Sequence, residues 1–156
     1  MFRRLSSYEN LAPLLLRLGI GLTFFFAGLG KVLGGTAGVA GFFGSLGIPL
    51  AGLMGPFVAY LELIGGLALI LGVFTRGFGL LFAADMLVAL LLVGLPKAFA
   101  AENIAVGFTD ARVEVLLLLG SVALALLGAG AFSIDEAFLG DRPRQIAERP
   151  APHATR

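Results

Sequence analysis

The sequence predicts an all-α integral membrane protein, a four-helix bundle that folds as one domain. Of its 156 residues, 58% are hydrophobic and only 13% are charged, and the mean hydropathy is +0.99. Its charge-free runs are longer than a soluble core helix needs. A membrane-spanning helix takes about 20 residues, so the chain has room for four spans and for no separate soluble domain.

The first span, residues 11–33, carries two charges in an apolar run. An arginine at mid-bilayer costs about 2.5 to 3.5 kcal/mol, so both charges require partners. Five residues fall on one line down this helix at about 100° per residue: Arg17, Gly21, Phe24, Gly28 and Lys31. We call this line the polar seam and expect it to face the interior of the bundle.

A second set of small residues lies on the opposite face of the first span: Gly19, Thr23, Ala27 and Gly30. Small residues allow helices in a membrane to approach closely. This face therefore predicts a helix contact, either within the chain or in a homo-oligomer. Gly21 and Gly28 of the seam, with Gly65 and Gly66 of the second span, are further candidates for helix packing.

The polar residues 1–10 precede this span, and we expect them to form a cytoplasmic N-terminus. Their Arg3 and Arg4 resemble the start of a signal peptide, but the following apolar run is long and contains Arg17, which favours an uncleaved span. After the span, apolar residues recur every three or four positions in 39–46. This spacing predicts a short helix lying in the membrane interface, ended by Ile48-Pro49.

Three further spans are predicted at residues 50–74, 78–95 and 113–131. They carry one acid each: Glu62, Asp85 and Glu114. A tight turn at residues 75–77 and a polar loop after Pro96-Lys97 connect them. Ser133 is a plausible N-cap for a short amphipathic helix that follows the fourth span, with Asp135 and Glu136 in its first turn. Residues 140–156 have too little apolar content to pack and are expected to form a disordered cytoplasmic tail.

The basic residues predict the orientation. With four spans, one side of the membrane receives most of them: Arg3, Arg4, Arg76, Arg142, Arg144, Arg149 and Arg156. Cytoplasmic loops are enriched in Lys and Arg. Both termini are therefore expected in the cytoplasm.

Depth in the membrane suggests how the buried charges pair. Arg17 and Asp85 are expected near the cytoplasmic edge, and Lys31 and Glu114 near the outer edge. Glu62 is left near the middle as an excess acid, and an unpaired carboxyl group in a low dielectric favours its protonated form. Arg17, Glu62 and Asp85 are accordingly candidates for a proton or ligand site, although buried pairs can also serve only to hold helices in register.

Composition excludes several classes of site and partner. The chain contains no cysteine and one histidine, His153, in the C-terminal tail. Disulfide bonds and thiolate metal sites are excluded, and a haem or other metal site in the spans is not expected. The net charge of +1 argues against nucleic acid as a partner.

Several short motifs occur in a fixed order along residues 11–139. They are the polar seam, Gly47-Ile48-Pro49, Glu62 followed by Gly65-Gly66 and LILGVFTR, and Gly128 followed by GAFSIDEAF. In this order and spacing they resemble the DoxX family of small bacterial membrane proteins. The resemblance implies a four-helix bundle in the cytoplasmic (inner) membrane.

The same resemblance implies a redox context. The family is related to subunits of a thiosulfate:quinone oxidoreductase, and other members resemble membrane partners of a superoxide dismutase or a sulfurtransferase. Without cysteine, this chain has no self-sufficient catalytic constellation, so thiosulfate chemistry would need another subunit.

Three functions remain open on this basis. The first is a redox-associated subunit, in which Arg17 and Glu62 line a pocket between the first two spans and Glu62 exchanges the proton that accompanies quinone reduction. The second is a small proton-coupled transporter, although the chain shows no internal repeat. The third is a structural assembly factor, in which the charges only fix the bundle.

Overall fold

The computed structural model describes residues 11–139, and every regular element in this range is helical. The helices are α1 (Leu11–Leu33), α2 (Thr36–Ser45), α3 (Ala51–Leu71), α4 (Thr75–Ala89), α5 (Leu95–Ala100), α6 (Ile104–Leu127) and α7 (Ile134–Leu139), with a π-helical turn (Leu90–Gly94) between α4 and α5. The predicted cytoplasmic N-terminus and disordered tail lie outside the described residues.

Three helices are long and apolar enough to cross a membrane. They are α1, α3 and the continuous helix Thr75–Ala100, which includes the π-helical turn. The prediction of an all-helical membrane protein is confirmed at this level. Helix α6 is also long, with 24 residues, but Asp110, Arg112 and Glu114 make its first half more polar.

The long helices form two antiparallel pairs, α1 with α3 and α4 with α6. In the first pair Gly21 contacts Gly66, while Gly28, further along α1, contacts Leu63, which comes earlier in α3. The two pairs meet in a small core, where the rings of Phe24 and Phe82 stack with their centroids 3.8 Å apart. Ile20, Leu69 and Leu124 complete this core.

Helices α3 and α4 follow each other directly but lie close together only near the turn that joins them. Gly65 of α3 contacts the rings of Phe78 and Phe82 there. Further from the turn, the space between the two helices is lined by Met54, Asp85 and other side chains of a cavity. Helices α3 and α4 are thus in contact near their turn and separated by the cavity further from it.

Several helix ends differ from the predicted boundaries. The chain turns at Gly72–Phe74, where Gly72 has φ 72°, and the predicted turn at 75–77 is already helical. Helix α6 begins well before the predicted start at 113, because Asn103 caps it: its Oδ1 accepts hydrogen bonds from the backbone N–H groups of Ala105 and Val106, both at 3.1 Å. The helix ends at Leu127 because Gly128 has φ 85°.

Candidate functional site

The polar seam is the face of α1 that the structure buries. Arg17, Gly21, Phe24 and Gly28 are buried, and Lys31 is half-buried. A Cβ atom on Gly28 would lie 2.8 Å from the carbonyl carbon of Glu62, closer than real Cβ atoms approach other atoms. The glycine therefore lets α1 lie against the backbone of α3 and brings Lys31 beside Glu62.

The opposite face of α1 has no neighbour within the described part of the chain. Gly19, Thr23, Ala27 and Gly30 are exposed, and the Thr23 hydroxyl donates a hydrogen bond to the carbonyl of Gly19 at 2.8 Å. The helix contact expected on this face is not formed within residues 11–139.

Lys31 and Glu62 form an ion pair near the far end of α1. The Lys31 ammonium lies 2.5 Å from both carboxylate oxygens of Glu62. The Glu62 side chain is 3% exposed and that of Lys31 is 34% exposed. Glu62 is therefore not the unpaired acid that the depth argument suggested, and Lys31 is not held by Glu114.

Asp85 is the acid that faces this pair without a hydrogen bond. Its Oδ2 atom is buried and has no hydrogen-bond partner among the described residues, and it interacts electrostatically with both Glu62 and Lys31. The expected pair with Arg17 is not formed. Asp85 lies about 15 Å along its helix from Thr75, whereas Arg17 lies at the α3–α4 turn, against Gly72.

Glu114 is half-buried on α6. Its Oε2 atom is buried and has no hydrogen-bond partner within residues 11–139. The structure therefore leaves Glu114 outside the ion pair in which it was expected.

Lys31, Glu62 and Asp85 form the polar end of a cavity of about 420 Å³. It lies between α2, α3, α4 and the π-helical turn, and its other lining residues are Phe42, Phe43, Leu46, Ile48, Met54, Phe57, Val58, Leu61, Leu81, Ala84, Met86, Val88, Ala89, Leu92 and Val93. A π-helical turn within an α-helix often marks a functional site. This cavity has the character of a ligand site, with apolar walls and a few convergent polar groups.

Arg17 occupies the opposite end of α1 and has a different environment. Its side chain is 1% exposed, and its two terminal nitrogens donate hydrogen bonds to the carbonyls of Ala129 at 2.8 Å and Phe132 at 2.9 Å. These carbonyls belong to the segment between α6 and α7. Arg17 therefore fastens the end of α6 to α1 and does not line the cavity.

Asp135 completes this arrangement from α7. Its carboxylate accepts hydrogen bonds from the backbone N–H groups of Phe74 at 2.7 Å and Thr75 at 2.8 Å, and its own N–H donates to the carbonyl of Gly72 at 2.9 Å. It also interacts electrostatically with Arg17. We call Arg17, Asp135 and the backbone that they bind the Arg17–Asp135 clasp.

The clasp holds two strained residues. Phe74 has φ 49° and Phe132 has φ 54°, a left-handed conformation that is uncommon for residues other than glycine. Asp135 was expected to stabilise the first turn of α7, the helix to which it belongs. Its carboxylate instead caps the first turn of α4. Ser133, the expected N-cap of α7, donates its hydroxyl proton to the carbonyl of Gly130 at 3.0 Å.

Four of the five predicted charged residues therefore separate into two groups at opposite ends of α1, and Glu114 lies in neither group. Glu62 and Asp85 lie at the cavity with Lys31, and Arg17 lies in the clasp. Sequence reasoning placed Asp135 on the short helix but missed its role in the clasp, because the groups it binds are 60 and 61 residues away. Among the residues that the structure describes, no cluster of His, Cys, Asp and Glu could hold a metal ion.

Comparison with known proteins gives one match. The sequence profile of the DoxX family matches residues 12–95, more than half of the chain. No curated protein and no solved structure matches it. The matched region contains α1, α2, α3 and α4, and with them all three residues at the polar end of the cavity. The chain belongs to the DoxX family.

Proposed function

We propose that this protein is a redox-associated membrane subunit that binds a quinone in the cavity between α2, α3 and α4. The observation that carries the proposal is the combination of apolar walls with a polar end formed by Lys31, Glu62 and Asp85. A quinone head group has the matching chemistry, since it is a flat apolar ring with two carbonyl oxygens.

The polar end offers complementary groups for such a ring. The Lys31 ammonium has three N–H donors, and Glu62 occupies part of this capacity. A remaining N–H can donate to a carbonyl oxygen of the ring. The buried Oδ2 of Asp85, which has no hydrogen-bond partner among the described residues, can accept from a hydroxyl group or, when protonated, donate to a carbonyl.

A bound quinone would supply an acceptor for two electrons and two protons. Asp85 is suited to hold one of these protons at Oδ2 and to transfer it towards the ring, because Oδ2 has no hydrogen-bond partner among the described residues. Glu62 keeps Lys31 in position. The two electrons must come from a partner protein, and the second proton from water or from that partner. We propose as the partner an oxidoreductase or an oxidative-stress protein of the superoxide dismutase or sulfurtransferase type.

The proposal includes the arrangement in the membrane. We propose α6 as a fourth span, because its 24 residues equal about 36 Å of helix, enough to cross a hydrocarbon core of about 30 Å. The distribution of basic residues supports cytoplasmic termini in the bacterial inner membrane. The cavity would then lie in the outer half of the bundle and the Arg17–Asp135 clasp at the cytoplasmic end.

Quinone content tests the proposal. We expect protein purified from native membranes in mild detergent to retain quinone, and Asp85→Asn to lose at least about tenfold in quinone affinity, the loss that corresponds to 1.4 kcal/mol. Extraction and chromatography measure the content, and titration with a tail-less quinone measures the affinity. Glu102→Gln, an exposed acid between α5 and α6, is the matched control. Equal quinone affinity of the two variants would show that Asp85 does not contribute to the site. Absence of quinone binding by the unmodified protein would reject the proposed function.

One observation favours a second function, that of a structural assembly factor. The guanidinium of Arg17 donates hydrogen bonds to two backbone carbonyls and interacts electrostatically with Asp135 of the clasp, so this charge serves the fold. If copurified partners remained bound and active after Asp85→Asn, the structural function would be preferred.

A further inference from the structure

A second cavity of about 470 Å³ lies along the outer face of α3, between this helix and Phe78 of α4. It is an open groove that includes the side chains of Tyr60 and Ile64, which are 49% and 60% exposed. No charged residue lines it. On a helix that crosses the membrane, such an exposed and uncharged surface is expected to contact lipid.

This groove and the polar-ended cavity share two lining residues, Phe57 and Leu61. Their side chains stand between the two spaces, so the cavity and the groove are neighbours along α3. The divergence of α3 and α4 away from their turn produces both spaces. The cavity contains the charged groups of Lys31, Glu62 and Asp85, whereas the groove on the other side of Phe57 and Leu61 is lined only by uncharged side chains.

We propose that the groove holds the apolar tail of the ligand whose head group lies at Lys31, Glu62 and Asp85, so that the ligand class is a quinone with a polyprenyl tail. This inference rests on the proposed function. A ring at the polar end must direct its tail away from the charges, and the apolar surface adjacent to the cavity, beyond Phe57 and Leu61, is the groove. Because Tyr60 and Ile64 are open to lipid, a tail longer than the groove continues into the bilayer.

The physics of the membrane decides which measurement is informative. Lipid tails are as apolar as the groove, so moving a polyprenyl tail from lipid into the groove yields little free energy. The groove should therefore orient the ligand without raising its affinity much. The position of the tail, and not the effect of tail length on affinity, is the diagnostic quantity.

Photo-cross-linking locates the tail. The full-length protein in lipid nanodiscs is incubated with a quinone that carries a diazirine on its first isoprene unit, and the cross-linked residues are identified by mass spectrometry. We expect cross-links on α3 at Tyr60 and Ile64, suppressed by excess tail-less quinone. Ile64→Trp should lower this cross-linking about tenfold and leave tail-less quinone binding unchanged. Leu67→Trp, on an exposed residue of the same helix outside the groove, is the matched control.

The outcomes separate the two proposals. If tail-less quinone binds and the cross-links fall on α2 or only on lipid, the groove assignment is wrong while the proposed function stands. If tail-less quinone neither binds nor competes, the proposed function itself fails. Should Ile64→Trp lower the thermal stability, Leu53→Trp fills the other end of the groove and must give the same loss of cross-linking.

Discussion

Arg17 and Lys31 lie on the same face of one helix, but their charges are satisfied in different ways. Arg17 donates to two backbone carbonyls, and Lys31 donates to a carboxylate. Planar guanidinium groups suit two separate acceptors, whereas an ammonium group acts as a point charge. At the residue level, Arg17 therefore stabilises the fold, and Lys31 with Glu62 forms a polar surface that a ligand can reach.

Removal of the Arg17 charge tests this distinction. Arg17→Met leaves the carbonyls of Ala129 and Phe132 without their donors, so we expect a loss of about 3 kcal/mol of stability. The stability of Arg17→Lys should lie between that of the unmodified protein and that of Arg17→Met, because one ammonium group cannot replace both hydrogen bonds in the same geometry. Thermal unfolding in detergent measures the effect.

Lys97→Met is the control for this series, since Lys97 is exposed on α5 and the change should alter stability by less than about 0.5 kcal/mol. Tail-less quinone should still bind to the fraction of the Arg17→Lys protein that remains folded, because Arg17 does not line the cavity. Equal stability of Arg17→Met and Lys97→Met would contradict the role of the clasp.

The sequence could identify the residues of the polar seam but not their partners. Helical spacing alone places Arg17, Gly28 and Lys31 on one face of α1. In the structure this face packs against α3. The pairing of Arg17 with Asp85 depended on a guess at where each span begins. The structure begins α4 at Thr75, three residues before the predicted start, and Asp85 lines the same cavity as Glu62.

At the level of helices, the contact between α1 and α3 depends on glycine. A Cβ atom on Gly66 would lie 2.8 Å from the carbonyl oxygen of Gly21 and from the Cα atom of Phe25. Close backbone approach of this kind is how membrane helices gain packing contacts that lipid does not offer. The same approach sets the distance between Lys31 and Glu62.

Alanine at two glycines of α1 separates packing from helix propensity. We expect Gly28→Ala to destabilise the protein by about 1 to 3 kcal/mol, because its methyl group overlaps the backbone of α3. Gly19→Ala should be neutral or stabilising by up to about 1 kcal/mol, since nothing lies within 4 Å of its Cβ position. Thermal unfolding of both variants checks this, and a loss at Gly19 as large as at Gly28 would show that the exposed face has a partner of its own.

The sequence predicts which segments are helical more accurately than it predicts where each helix begins and ends. Asn103 is a favourable N-cap residue, and this signal could have extended α6 to Ile104. The π-helical turn at Leu90–Gly94 has no comparable signal in an apolar run. The cap that Asp135 provides for α4 is a tertiary contact, which local sequence patterns do not show.

At the scale of the whole molecule, the two helix pairs are joined by the Arg17–Asp135 clasp at one end and separated by the cavity at the other. The family assignment and the helical membrane character follow from motifs and hydropathy over long stretches. The cavity depends on the angle between the pairs, and this angle comes from contacts that no single segment encodes.

The absence of cysteine from the sequence allows a direct test of the four-span arrangement. Single cysteines at exposed positions are labelled in intact cells with a membrane-impermeant maleimide. We expect Ser45→Cys and Glu102→Cys to be labelled from outside, and Ala137→Cys only after permeabilisation. Labelling of Glu102→Cys and Ala137→Cys from the same side would show that α6 does not cross the membrane.

The divergence of α3 and α4 makes the helices act as levers. Asp85 lies about 15 Å along α4 from the turn, so a rotation of about 5° at the turn displaces it by about 1.3 Å. Displacements of about 1 Å are large enough to change how a site holds its ligand. Under the proposed function, substitutions at Gly72 or Phe132 are therefore expected to alter ligand binding, although neither residue lines the cavity.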